Sequence, residues 1–255
     1  MIHALLALPF GLAIGLSLGL VGGGGSILAV PVLVYLLGEP VKQATTESLL
    51  IVGATALLGA LAHGRAGRVR VRTALAFGTA GAVGSLGGTA LNRVASSRSI
   101  LLGFAVLLLV AAALMVRGRG EPSRAEIEAR GPGLWLRIVP AGLGTGLLTG
   151  FFGVGGGFAV VPALSLLLGL PLAVAVGTSL LVIALTSAVA FAAHLASGSV
   201  DWGVAAVFTA AAVAGALAGS RLGGRTRPAR LAAGFAVLVV GVAIFLVAKS
   251  VAAFT

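Results

Sequence analysis

The chain has 255 residues, of which 59% are hydrophobic and only 9% charged, and its mean hydropathy is +1.16. A soluble domain of this length needs a far larger charged surface, so composition excludes one. The net charge of +11 does not point to nucleic acid. The arginines sit almost wholly in short connections between apolar runs, where they set topology and touch anionic lipid.

In chain order the apolar runs fall near 4–37, 45–62, 73–91, 99–116, 138–169, 178–193, 204–220 and 231–248. Runs of roughly 20 residues match a bilayer core, and the short alternating segments of a β-barrel are absent. The pattern predicts an all-α polytopic membrane protein. With no cysteine in the chain, there is neither a disulfide framework nor a thiolate site. Met1-Ile2-His3 lacks the basic start of a cleavable signal peptide, so the first run is read as mature protein. The first and fifth runs are odd, because about 50 Å of helix is too long for one crossing and short for two plus a turn. Each carries a glycine cluster near its middle, which predicts a re-entrant or discontinuous helix broken there.

The two halves repeat one another. Residues 142–238 laid over 11–107, an ungapped offset of 131, are identical at 36 of 97 positions. Gly22-Gly23-Gly24-Gly25-Ser26 then falls on Gly153-Val154-Gly155-Gly156-Gly157, Pro31 on Pro162, Pro40 on Pro171, Ser48 on Ser179 and His63 on His194. An internal repeat in a membrane chain, each copy holding an interrupted apolar segment, is the signature of a secondary transporter. The predicted units are a first repeat at 1–117, a cytosolic linker at 118–137 and a second repeat at 138–255. In the linker, Pro122-Ser123 followed by Glu126 resembles a helix start with a capping box.

Arginine placement sets the relative direction of the repeats. Arg65, Arg68, Arg70 and Arg72 follow the second run of the first copy, and the matching stretch 195–203 has no Lys or Arg. In the second copy the basic cluster moves to Arg221, Arg225, Arg227 and Arg230. Inverting the copies gathers 13 of the 17 basic residues on the cytoplasmic side, as the positive-inside rule asks. The predicted architecture is therefore two inverted-topology repeats, each a Gly-broken helix plus three transmembrane helices.

Unwound backbone survives in hydrocarbon only where protein buries it or water reaches it, so the two breaks predict a cavity between the repeats. The helix start after each break offers free N–H groups and a positive dipole end, and glycine lets an anion approach closely. Gly11, Gly15 and Gly19, like Gly142, Gly146 and Gly150, recur every four residues and are read as packing positions, as are Gly84/Gly88 and Gly215/Gly219. Candidate substrate-binding residues are Gly22, Gly23, Gly24, Gly25, Ser26, Ser48, Gly153, Gly155, Gly156, Gly157, Thr178 and Ser179. Their hydroxyls either cap helix starts or turn toward an anion's oxygens. Glu47, where the second copy has Thr178, either faces interfacial water or couples proton movement to transport. His63 and His194, each at a span's end, either cap and snorkel or handle protons. Trp135 and Trp202 at segment edges fit an aromatic belt.

Two copies of a Gly-rich segment with a following Pro, then Ala-x-x-x-Ser-Leu-Leu and His-x-x-x-Gly, resemble the TauE/SafE (TSUP) sulfite exporter family. Here these are Pro31, Ala44, Ser48-Leu49-Leu50, His63 and Gly67, and again Pro162, Ala175, Ser179-Leu180-Leu181, His194 and Gly198. The resemblance spans nearly the whole chain. It implies a permease of the bacterial cytoplasmic membrane that exports sulfite, sulfonates such as sulfoacetate, or related anions. One departure is Glu47 before Ser48, where the family often has Thr.

The expectation is a secondary anion transporter, with a site built by the two breaks and alternating access by rocking of one repeat against the other. An anion channel or uniporter through the same site is the nearest rival. An intramembrane serine hydrolase using Ser26 fits poorly, because the second copy has Gly157 there. The expected partners are the small anion and membrane lipid, with no nucleic acid, no cofactor, no metal and no catalytic residue; a homodimer is compatible with the sequence, which fixes no oligomeric state.

Overall fold

The structure is a computed structural model that describes residues 2–21, 23–104, 106–107, 134–153, 157–196 and 199–222. Among these every regular element is helical. Helix α1 (Ile2–Val21) leads through a 3-10 helix (Gly23–Leu28) into α2 (Ala29–Tyr35), followed by α3 (Val41–Arg65) and α4 (Val71–Val94). A further helix, α5, starts at 97. The second half repeats the plan: α6 (Leu134–Phe152), α7 (Gly157–Pro162) with a π-helical turn (Ala163–Leu167), α8 (Leu172–Leu195) and α9 (Trp202–Leu222). The predicted run 231–248 and all of the predicted linker before residue 134 lie outside the described residues.

Both long apolar runs are broken, as their length requires. After α1 the chain turns back along it, and Gly25 lies so close that a Cβ would overlap the Ile14 carbonyl and stand 2.7 Å from the Leu18 amide nitrogen. Leu33 and Leu37, further along, are buried in one cluster with Ala7 and Ile14. Gly38 and Gly169, in the left-handed region at φ +73° and +58°, end the returning limbs. Pro40 and Pro171 then hold extended backbone immediately before α3 and α8, and their carbonyls accept from Ala44 N at 2.9 Å and Ala175 N at 2.8 Å.

Among the described residues, four helices are long and apolar enough to cross a membrane: Val41–Arg65, Val71–Val94, Ala173–Leu195 and Trp202–Leu222. The helices are joined by glycine-to-backbone contact. On α1, Gly11 sits against the Phe208 carbonyl, Gly15 against Ala212 and Gly19 against Ala216, all on α9. On α6, Gly142 sits against the Phe77 carbonyl, Gly146 against Gly81 and Gly150 against Ser85, all on α4. Each pair of contacts is the other shifted by 131, and both pairs run in parallel. The glycines read as packing stripes are therefore where the backbones meet, with dispersion and close approach replacing the hydrophobic effect.

At the centre α3 and α8 cross in opposite directions, Gly53 facing Ser187 and Gly59 facing Leu180. The contacts divide the helices into two bundles that do not coincide with the halves of the sequence. One holds α1, α2, α3 and α9; the other holds α4, α6, α7 and α8. They meet along α3 and α8, and where the 3-10 helix Gly23–Leu28 touches α7. The outer surface is apolar, with Leu12, Leu16, Leu57, Leu61, Leu86 and Leu147 exposed, while Thr55, Ser85, Asn92, Thr149, Thr186 and Ser187 are buried. Apolar outside and polar inside is the arrangement lipid favours.

Candidate substrate site at the helix breaks

A helix that ends inside a membrane protein leaves its last carbonyls without partners. At the end of α6 the sequence supplies them from several elements. Thr149 O accepts from Gly153 N at 2.9 Å, Gly150 O from His194 Nε2 at 2.8 Å and Phe151 O from Asn92 Nδ2 at 2.7 Å. Gly153 O accepts from Ser48 Oγ, which also lies 2.9 Å from Thr45 O. Side chains from α8, α4 and α3 thus converge on one break. Gly153 itself has φ +69°, and a Cβ there would overlap Thr45 Cγ2 and stand 2.6 Å from Thr45 O. Both the backbone conformation and the close approach of α3 demand glycine.

At the end of α1 the matching contact is His63 Nε2 to Gly19 O, at 3.4 Å. A carbonyl only accepts, so the facing nitrogen of each histidine carries the hydrogen. His63 and His194 are 5% and 4% exposed and cap the helices that lead into the breaks. They sit in the last turns of α3 and α8, where a polar donor also complements the helix dipole. Because α3 and α8 run oppositely, the two histidines lie toward opposite ends of the fold. His63 Nδ1 is buried without a partner among the described residues.

Gly23, Gly24, Gly25 and Ser26 form the start of the 3-10 helix, with Ser26 fully buried, and Gly157 opens α7. These two segments touch, so the structure brings the limbs after the breaks together. Gly22, Gly155 and Gly156 lie outside the described residues. Ser179 Oγ donates to Val176 O at 2.7 Å, within its own helix.

Glu47 and Thr178 occupy one structural position with different chemistry. Glu47 Oε1 accepts from Asp201 N at 2.7 Å, just before α9; Thr178 Oγ1 accepts from Arg70 N at 3.0 Å, just before α4. Each fixes a helix start in its own bundle. Around Glu47 a polar chain extends further: Gln43 Nε2 donates to Glu47 Oε1 at 3.0 Å and to Glu39 Oε2 at 2.6 Å, and Ser199 Oγ donates to Gln43 Oε1 at 3.1 Å. Asp201 Oδ1 in turn accepts from Gly203 N and Val204 N at 2.8 and 3.1 Å. Glu47 is fully buried, and its Oε2 has no partner among the described residues.

Asn92, Gln43 and Asp201 were not singled out as site residues by the sequence. Glu39, Gln43 and Glu47 recur every four residues on one helical face, a signal that could have grouped them. Two cavities stand out. One of about 770 Å³ is an apolar outer groove between α4 and α6, and the other, of about 260 Å³, is basic. Neither is lined by the glycines of the breaks.

The family described as "Sulfite exporter TauE/SafE" matches residues 7–246. A probable membrane transporter protein of Xylella fastidiosa (strain 9a5c) is 32% identical over 240 residues, 93% of this chain and 92% of that protein. The probable membrane transporter protein YunE of Bacillus subtilis is 31% identical over 234 residues, 84% of each chain. A probable membrane transporter protein of Methanocaldococcus jannaschii is 26% identical over 193 residues, 72% of this chain and 70% of that protein. No solved structure matches. The chain belongs to the TauE/SafE family and is an integral membrane transporter.

Proposed function

We propose that this transporter exports sulfite and small sulfonates such as sulfoacetate from the bacterial cytoplasm by alternating access. The observation that carries the reading is the pair of glycine breaks, one in each half, whose following limbs touch inside the fold. Helix starts with uncommitted N–H groups, approached by backbone without side chains, suit an oxyanion without any cation in the membrane interior. The sulfur-anion class rests on the family description. Ser26, buried beside the first break, adds a hydroxyl to the site, while Ser48 holds the Gly153 carbonyl of the second.

The halves act as inverted repeats. In support, α3 and α8 cross antiparallel, α4 lies parallel to α8 with Gly78 and Gly81 against Leu185 and Thr186, and α9 begins beside the first turns of α3. Among the described helices, α1, α3 and α4 then run opposite to their counterparts α6, α8 and α9. The moving units are the two bundles, each made of three elements from one half and one helix from the other, with hydrogen bonds from Ser48 to Gly153 O and from Lys42 Nζ to Arg93 O running between them. Glu47 is the proton-coupling group: it is the buried carboxylate of the spans, one oxygen holding a helix start and the other unpartnered among the described residues.

The test is flux of sulfite and sulfoacetate in proteoliposomes, with and without an imposed pH gradient. Saturable flux that follows the proton gradient is expected. Gly24→Val should abolish it while the protein keeps its size-exclusion profile. Wild-type flux in that variant would remove the breaks from the site, and no flux of either anion would remove the substrate class.

A further inference from the structure

The basic cavity of about 260 Å³ lies where the end of α3, the α3–α4 loop and the end of α9 meet. Arg65, Arg68 and Arg221 line it with His63 and Ser220, and among the described residues no acidic one does. We propose that this pocket binds an oxyanion, a sulfur or phosphorus oxyacid anion held by the guanidinium groups at one end of the transporter.

The pocket is built rather than incidental. The loop that carries Arg68 is fixed at both ends: Arg68 N donates to His63 O at 3.0 Å, and Arg70 N to Thr178 Oγ1 at 3.0 Å. Gly177 on α8 lies directly against the Arg68 carbonyl, and a Cβ there would stand 3.2 Å from His63 Cβ. Gly67 makes the tight turn before Arg68 at φ +69°. Arg68 is half-buried, which limits the freedom it loses on gripping a ligand. His63 is buried at the wall of the pocket, its Nε2 held on Gly19 O and its Nδ1 without a partner among the described residues. Three cations with no carboxylate among the described lining residues call for a ligand of opposite sign, and guanidinium forks match oxyanions in geometry.

The repeat supplies an internal control. Shifted by 131, the cationic positions become Ala196, Ser199 and, from the other direction, Ala90 in place of Arg65, Arg68 and Arg221. The opposite end of the fold therefore keeps the histidine and lacks these three arginines, and Lys42 there spends its Nζ on Arg93 O at 2.9 Å. Arg93, the basic residue nearest that end's histidine in sequence pattern, spends its Nη2 on Ala193 O at 2.7 Å. Anion capture is thus built at one end only, the end where Arg70 and Arg72 also lie and which the positive-inside rule makes cytoplasmic. Its role as the mouth of the export path rests on the transport reading above; its binding of an oxyanion does not.

A free anion and the phosphate of an anionic lipid share this chemistry, and the test separates them. Purified full-length protein in neutral, lipid-free detergent is given radiolabelled sulfate in one arm and short-chain phosphatidylglycerol, read by native mass spectrometry, in the other. Wild type should bind at least one probe. Binding should fall by about tenfold or more in Arg68→Gln/Arg221→Gln, since two charge-assisted contacts are lost, and survive in Arg68→Lys/Arg221→Lys. Arg72→Gln, on the same face but outside the pocket, should stay within about twofold, as a diffuse surface charge would. Sulfate binding identifies a free oxyanion and lipid binding alone a headgroup, and either upholds the site. Equal binding by the double glutamine variant, an equal loss in Arg72→Gln, or no binding of either probe by folded wild type would overturn it. Intact binding without sulfite flux would count against the transported substrate and not against this pocket.

Discussion

The two helix breaks carry the same histidine cap on different surroundings. At the α6 break, His194 holds Gly150 O at 2.8 Å, Asn92 adds Phe151 O, and Ser48 reaches across from the other bundle to Gly153 O. At the α1 break, His63 stands 3.4 Å from Gly19 O with its second nitrogen unpartnered among the described residues, and the position matching Asn92 in the sequence is Gly223. The same contrast runs through the helix starts, where Glu47 holds Asp201 and Thr178 holds Arg70. A duplicated scaffold keeps its geometry while its charges drift apart, so one end becomes basic and the other gathers Glu39, Glu47 and Asp201. Those three are the acidic residues of this chain outside 121–128. Asymmetry of charge on a symmetric frame gives a carrier its two distinguishable sides.

The largest effect should come from Gly153→Ala. A side chain there meets both left-handed backbone strain and overlap with Thr45, about 2 kcal/mol or more together. Thermal unfolding in detergent should show a loss of several degrees, and flux should collapse; a stable, active variant would deny that this break needs its conformation. Next comes the histidine pair. His194→Ala should destabilise by about 1–3 kcal/mol, because it orphans a buried carbonyl, and His63→Ala by distinctly less, because its bond is longer. Equal losses would erase the difference between the breaks. The smallest change in stability is expected from Glu47→Thr, which gives the first copy the hydroxyl acceptor of the second. It should stay within about 1 kcal/mol of wild type while losing its response to an imposed proton gradient. A variant that keeps that response would move proton coupling away from Glu47.

Much of this was legible beforehand. The four described spans, both breaks, the packing glycines and the ends at which His63 and His194 sit follow from apolar length, glycine placement and the offset of 131. What escaped was which helix each residue would meet. Glu47 was weighed between interfacial water and proton traffic, whereas its partner is the backbone of Asp201, 154 residues away. Asn92 follows the third apolar run at 73–91, and nothing in its neighbourhood names the Phe151 carbonyl it meets. Rocking of one repeat against the other is the natural expectation for a duplicated chain, but α4 and α9 each pack with the opposite half. Local pattern identifies a helix and its faces; pairing among similar apolar faces depends on which glycines meet, and that is decided only in three dimensions.

The exchange of α4 and α9 has a mechanical corollary. The chain passes from one bundle to the other between Arg65 and Val71, through five intervening residues. Even drawn taut, that strap spans roughly 20 Å, and it is anchored at Thr178 and Gly177 besides. A second strap, between Leu195 and Trp202, works the same way from the other end. Any stroke that opens one side of the molecule is therefore leashed on both, so large separations are forbidden and only a short tilt about the α3–α8 crossing remains.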